Sequence, residues 1–462
     1  MNICMQENVN TIGKDFSLGQ LIAFVAGPVF TNLMVSVLQT LDDSLFISRY
    51  CGENALAAFS VAMPMFMLFE AVGMVAGSVS VGCSIKMGQK KNDEANSDFT
   101  TMAIVTFAIG CCITLIMFFF RENLLRMLGE TDLLMPYAMT YMNVSMYFIP
   151  LMLTSFIFSR FYVIAGKPKY AVISTVLQTF MNLFFDWLFI VKMNIGIVGA
   201  AYANMLNHIA VFIFALVIYA NQKQEIHFVK PTSNLKTLLK DTFHYGKTQC
   251  VTSISISINT FLANTVQLYL GGELFVAAFT IVNNVQWMFM NSFFSLLGTA
   301  SPIVSYAYGE KNVKKLVKTI KQITVLVTML MLLIIGVFIG GKNLIIMLYL
   351  TDKSNPAIKD IILYGMKIVP FGFMFFGYNV LVQNLMTAVS NTKVSMILSF
   401  IQHIVLQNIL MLLIPFIFGI NGVWYVFAAT QVATLGFSIY AVNKYKDVYG
   451  YGPSGKATFA EE

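Results

Sequence analysis

Residues 18–47 read LGQLIAFVAGPVFTNLMVSVLQTLDDSLFI. A helix that crosses a bilayer needs about 20 mainly apolar residues, and this run supplies them before it reaches the acid pair Asp42 and Asp43. The same ruler finds apolar stretches near 55–85, 99–120, 136–164, 171–192 and 199–220, and six more near 248–270, 275–305, 323–341, 360–388, 395–419 and 421–442. Composition agrees over the 462 residues, of which 57% are hydrophobic and 11% charged, against roughly 25% charged in soluble domains. A cytosolic enzyme, a disordered chain and a nucleic-acid-binding protein are excluded. The expectation is an all-α integral membrane protein with twelve transmembrane helices.

The distribution of cations orients it. Twenty Lys residues, among them Lys86, Lys90, Lys91, Lys167, Lys169, Lys314, Lys315, Lys318 and Lys444, fall on one side, against seven Lys and Arg on the other. Arg160 and Lys367 lie inside spans. By the positive-inside rule both termini are expected in the cytoplasm, the multi-pass chain sitting in the plasma membrane. Anionic inner-leaflet lipid then accounts for the net charge of +7 without a nucleic-acid partner. The first 17 residues lack the apolar core of a signal peptide, and the six cysteines form no CxxC or ligand-like cluster.

The halves repeat one another. Gly52-Glu53 with Ala57-Ala58-Phe59-Ser60 returns as Gly272-Glu273 with Ala277-Ala278-Phe279-Thr280. Gly88-Gln89-Lys90 returns as Gly309-Glu310-Lys311, and Gly196-Ile197-Val198-Gly199 as Gly419-Ile420-Asn421-Gly422. Three matches in order indicate duplication. An even number of spans per half makes the repeat parallel, its pseudo-twofold axis along the membrane normal. The expected lobes are 1–232 with spans 1–6 and 233–462 with spans 7–12. They are joined by a segment in which Ser233 is expected to cap an amphipathic helix carrying Leu235, Leu238, Leu239 and Phe243.

An ionisable group in hydrocarbon is costly, so an intramembrane carboxylate is a functional candidate. Four fall within spans, Asp42, Asp43, Glu70 and Asp186, all in the first half. At about 1.5 Å rise per residue, Asp43, Tyr141, Asp186 and Asn204 come to one depth. Gln178, Asn182 and Asp186 recur every four residues, as do Asn32, Ser36, Gln39 and Asp43, each set a polar stripe facing a cavity. Asp42 points about 100° away from Asp43. Desolvated carboxyls of this kind take up protons near neutral pH, although such groups also serve as neutral hydrogen-bonded glue between helices. Pro28 removes one backbone hydrogen bond from the first helix and supplies a kink. The literal GxGxxG in the tail, from Gly450 to Gly455, has a membrane span before it in place of a strand, and is discounted. His208 and His403 read as hydrogen-bonded core residues, and no nucleophile, metal or cofactor constellation marks an enzyme.

These residues resemble the multidrug and toxic compound extrusion (MATE) family over essentially the whole chain. Leu41-Asp42-Asp43-Ser44-Leu45-Phe46-Ile47 is similar to the family's VDTIFVG, Asn182-Leu183-Phe184-Phe185-Asp186 to its NxxxD, Val198-Gly199-Ala200-Ala201 to VGAA, and Pro302-Ile303-Val304-Ser305-Tyr306-Ala307-Tyr308-Gly309 to PIVGYNYG. The resemblance implies an antiporter that expels cationic, amphiphilic small molecules in exchange for H+ or Na+ by alternating access between two lobes. It implies an ion site of Asp43, Tyr141, Asn182, Asp186 and Asn204, with Pro28 as the bending proline. Gln39, Glu70 and Gln178 are candidates for the substrate cavity. Trp187, Ser48 and Asn204 depart from the family's usual Pro, Gly and Thr. Acids that some members carry in the second lobe are replaced by neutral residues such as Ser255, Ile256, Asn259 and Asn379, which disfavours a sodium site there. Proton coupling is therefore expected, while a carboxylate-amide site also suits Na+. The alternative, a flippase for lipid-linked saccharides, calls for a cationic cavity, opposite in sign to four acids against two bases.

Overall fold

The computed structural model describes residues 13–38, 43–128, 132–221, 224–341 and 356–450. Among these the secondary structure is entirely helical. Helix α1 spans Leu18–Leu38, α2 Asp43–Tyr50, α3 Glu53–Gly77, α4 Val79–Gly88 and α5 Asn92–Met127. Then come α6 Met135–Ser145, α7 Ile149–Ile164, α8 Pro168–Asp186 and α9 Ile197–Tyr219. The second half holds α10 Leu235–Gly309, α11 Val313–Gly340, α12 Pro356–Ala388, α13 Thr392–Phe400, α14 Gln407–Phe418 and α15 Val423–Tyr445. Ten helical segments among the described residues are long and apolar enough to cross a membrane. Non-helical angles at Gly272 (φ 66°, ψ −173°) break α10 into two helices, which carry the stretches 248–270 and 275–305 and are not among those ten.

The chain forms two compact units, one of residues 1–14 and 30–246, the other of residues 15–29 and 247–462. The duplication seen in the sequence is written in the backbone. Left-handed φ angles occur in pairs at Gly52 (88°) and Gly272 (66°), Lys90 (64°) and Lys311 (54°), Gly166 (68°) and Ser390 (65°), and Gly196 (69°) and Gly419 (71°). Each pair marks an equivalent turn. Only glycine adopts such angles without steric cost, which explains why Gly52 and Gly272 are retained immediately before a helix in both copies.

Within the first unit, α5 lies against α7, and α3 against both α6 and α7. A Cβ placed on Gly110 of α5 would collide with the backbone Cα of Pro150 in α7. Backbone cannot yield as a flexible side chain does, so Gly110→Ala is expected to cost about 1–3 kcal/mol by overpacking. The check is the thermal melting point of the detergent-purified protein. An unchanged value would show that α5 and α7 have room to part.

The connection between halves is pinned to the start of α5. Asn96 Nδ2 donates to the Glu225 carbonyl at 3.2 Å, and the His227 amide donates to Asn96 Oδ1 at 3.1 Å. The Val229 amide donates to Thr100 Oγ1 at 3.0 Å, and the Thr232 and Ser233 amides donate to Ser97 Oγ at 2.9 and 3.1 Å. Ser233 does not cap the following helix as the sequence suggests. Its hydroxyl donates to Asp98 Oδ1 at 2.6 Å, and Asp98 in turn pairs with Lys86. The cap is Asn234, whose Oδ1 accepts from the Lys236 and Thr237 amides at 3.1 and 3.3 Å. Either residue type suits an N-cap, and the buried carboxylate of Asp98 decides which one is free for it. Of the four apolar residues expected along this helix, Leu238 is buried, while Leu235, Leu239 and Phe243 are exposed.

Candidate functional site

Asp186 is the last residue of α8 and is 0% exposed. A π-helical turn, Trp187–Lys192, follows it directly. Such a turn shifts the register of the side chains beyond it, so the four-residue spacing of the polar stripe of α8 ends at this carboxyl. One turn earlier on the same face stands Asn182, whose Nδ2 donates to Asn204 Oδ1 of α9 at 3.4 Å. Asn207 Nδ2 donates to the same oxygen, also at 3.4 Å, and Asn204 Nδ2 donates back to the Ala200 carbonyl at 3.2 Å. The three amides thus form a cluster between α8 and α9, and Asn204 is its hub.

Tyr141 of α6 is 2% exposed and is held by α3 through edge-on ring contacts, 5.3 Å between centroids with Phe59 and 6.1 Å with Phe66. Edge-to-face pairs at this spacing fix ring orientation. Helix α6 also packs on α9, the helix that carries Asn204. Tyr141, Asn182, Asp186 and Asn204 each make a further contact besides these. The short helix α2 reaches the same region, packing against α8, the π-helical turn and α9. Cys51, in the turn after α2, reports the proximity electrostatically: burial pushes its thiol pKa up, and the negative charge of Asp186 adds to the rise.

Asp43 opens α2, the short helix that packs against α8, the π-helical turn and α9. The Asp43 side chain lies outside the described residues, as do Gln39 and Asp42. Gln178 is half-buried two turns before Asp186 on α8, and Glu70 is half-buried on α3. Pro28 sits inside α1, and the division between the two compact units falls one residue beyond it, between Val29 and Phe30. The start of α1 is secured within the second unit, where Lys318 Nζ pairs with Asp15 at 2.7 Å and Gln322 Nε2 donates to the Phe16 carbonyl at 2.9 Å.

Sequence reasoning missed Asn207 as the third amide, although its spacing of three from Asn204 on one helix was the available signal. It missed the π-helical turn, which has no simple sequence signature. His208 stacks on Phe148 at 5.0 Å, a packing role, but its buried Nδ1 has no hydrogen-bond partner among the described residues, so the hydrogen bond expected of this core residue is not formed. Among the described residues no group of three or more His, Cys, Asp or Glu side chains converges as a metal site would require.

In the second unit the equivalent helices carry a neutral network. Asn379 Nδ2 donates to Gln431 Oε1 at 3.0 Å, Gln402 Nε2 donates to the same oxygen at 3.2 Å, and Ser438 Oγ donates to Asn379 Oδ1 at 2.9 Å.

The chain matches the MatE family model over residues 28–188 and 248–413, one segment in each half. It is similar to the multidrug export protein MepA of Staphylococcus aureus (strain MRSA252), 21% identical over 437 residues, 90% of this chain and 94% of the relative. It is also similar to the probable multidrug resistance protein YoeA of Bacillus subtilis (strain 168), 24% identical over 369 residues, 77% of each chain. A solved structure described as the outward-facing conformation of a multidrug resistance MATE family transporter of the MOP superfamily superposes with a TM-score of 0.88. Identity there is 20%, and the match covers 96% of this chain and 99% of that one. At such identity the likeness is one of fold.

Proposed function

This chain belongs to the MatE family, and from that membership we propose that it is a multidrug efflux transporter that exports cationic, amphiphilic small molecules in exchange for protons. It is a multi-pass membrane protein and a transporter rather than an enzyme. The observation that carries the coupling proposal is the Asp186 carboxyl, fully buried beside the Asn182–Asn204–Asn207 cluster. A carboxylate taken out of water costs several kcal/mol unless a proton or a cation neutralises it. Amides offer both donors and acceptors, which suits a neighbouring carboxyl in either form.

In the proposed cycle Asp43 and Asp186 form a coupled proton site that loads when open outward. Protonation bends α1 at Pro28, narrows the cavity of the first unit and releases the cation. Deprotonation toward the cytoplasm restores it, with both termini on that side as the lysine bias requires. Tyr141 and Asn204 hold the protonated layer in place, while Gln39, Glu70 and Gln178 border the path of the substrate.

The test is ethidium efflux from proteoliposomes under an imposed pH gradient or an imposed sodium gradient. Efflux driven by an inward proton gradient and indifferent to sodium is the expected result. Efflux driven by sodium alone would keep the site and change the ion. Indifference of every cation to both gradients would overturn the reading and favour a carrier of lipid-linked saccharides.

A further inference from the structure

Lys367 is a cation inside a membrane span that the proposed cycle does not use. It stands seven residues into the apolar stretch 360–388, about 10 Å deep at 1.5 Å rise per residue. An ammonium at that depth is costly unless it reaches water or an anion. Among the described residues the ion pairs of the second unit are Lys315 with Glu310 and Lys318 with Asp15, and Lys367 enters neither. Asp360, on nearly the same face of α12, is two turns and about 10 Å away, and Lys359 beside it offsets its charge.

Lys367 lines a groove of about 210 Å³ between α11 and α12. Phe338 and Met366, 1 and 4% exposed, form its floor, while Ile339 and Phe371, 67 and 60% exposed, stand at its margin. The groove therefore opens at the surface of the unit, within the depth that acyl chains occupy. Lys367 is the one charged residue among the described residues that line it. Pockets for drug-sized ligands hold roughly 300 Å³ or more, so this groove suits a length of acyl chain better than a compact molecule.

The neighbouring turn supplies a donor. The hydroxyls of Tyr364 and Tyr425 share a hydrogen bond at 3.2 Å. One of them donates and the other accepts, so the accepting phenol keeps its own proton for a third group. At about 100° per residue Tyr364 lies about 20° from Phe371 and about 60° from Lys367 around α12, whereas Gly365 and Gly372 turn the opposite face to the rings of Trp424 and Phe427. Helical side chains lean toward the helix N-terminus, so the stem of Lys367 covers the turn that carries Tyr364. Ammonium and phenol are thus neighbours at the N-terminal end of the groove. Both tyrosines are exposed near the start of their helices, as is usual at headgroup level.

We propose that this groove binds an anionic phospholipid of the leaflet that meets the N-terminal end of α12. Its phosphate pairs with the Lys367 ammonium and accepts from the free phenol of the tyrosine pair, while one acyl chain lies along Phe338, Met366 and Phe371. A zwitterionic lipid brings its own cation beside Lys367 and gains less. The site depends on the chain spanning a bilayer and is independent of what the protein transports.

Native mass spectrometry of the detergent-purified full-length protein, titrated with dioleoylphosphatidylglycerol or dioleoylphosphatidylcholine, reads the affinity for each lipid. The native protein is expected to bind its first phosphatidylglycerol about tenfold more tightly than its first phosphatidylcholine, the worth of one charge-assisted pair. Lys367→Gln should erase that preference, whereas Lys359→Gln, which removes the same charge two turns away, should keep it. Tyr364→Phe combined with Tyr425→Phe should weaken phosphatidylglycerol binding several-fold. Met374→Trp, which fills the groove, should weaken both lipids, and Ile339→Trp at the exposed margin takes its place where Met374→Trp elutes misfolded from gel filtration. Equal affinities for the two lipids in the native protein, a preference that survives Lys367→Gln, or an equal loss in Lys359→Gln would each overturn the proposal. So would unchanged phosphatidylglycerol affinity with the groove filled. Because neither an ion gradient nor a transported cation enters the measurement, its failure and a failure of proton coupling are read separately.

Discussion

Under an imposed pH gradient, Asp186→Asn is expected to bring ethidium efflux down to the leak of protein-free liposomes, a loss of about a hundredfold or more, while the purified variant still folds and binds ethidium. The argument is one of energy supply. Each unit of pH gradient provides about 1.4 kcal/mol per proton carried, enough for roughly tenfold accumulation in one-for-one exchange. An amide of the same shape carries no proton, so that supply falls to nothing. The fold should survive, because the substituted side chain would join a cluster that is already amide-rich, from Asn182 to Asn204 and Asn207. Efflux that continues at the native rate in this variant would remove Asp186 from the coupling path. Equal loss of ethidium binding and efflux would place it in the substrate site instead.

The second large effect concerns Pro28. In a helix interior proline costs about 3 kcal/mol relative to alanine, chiefly through the missing N–H and the clash with the preceding turn. Pro28→Ala is therefore expected to raise the melting temperature and at the same time to lower the efflux rate about tenfold or more. A mutation that stabilises a protein and slows it points to a conformational step. The location supports this, since α1 changes compact unit one residue past Pro28 and its start is tied to α11 by Asp15 and Phe16. Rates equal to native in Pro28→Ala would reduce the proline to a static kink.

Much of this was legible in the sequence because it rests on period and repetition. Apolar runs marked the helices, and the Gly52/Gly272 and Gly196/Gly419 correspondences returned as paired left-handed turns. The spacing of Asn182 and Asp186 placed them on one face of α8, and the hydrogen bond from Asn182 to Asn204 turns that face toward α9. What stayed hidden depends on partners distant in the chain. Nothing local distinguishes Ser233 from Asn234 as a cap until Asp98, 135 residues away, claims the serine. The groove of the second unit draws its walls from two helices, with Ile335 and Met374 at its limits in the sequence, so no single stretch announces it. Nor do Gly365 and Gly372, whose backbones lie against the rings of Trp424 and Phe427, carry any pairing information as single letters.

The central claim is that proton and substrate compete through Asp186, and reciprocity of linkage makes it measurable without transport. Titration calorimetry of ethidium binding to the purified protein, repeated in buffers of different ionisation enthalpy, counts the protons exchanged on binding. The account predicts that ethidium binding releases protons from the native protein and that the release disappears in Asp186→Asn. Binding enthalpies that are independent of the buffer in the native protein would contradict it.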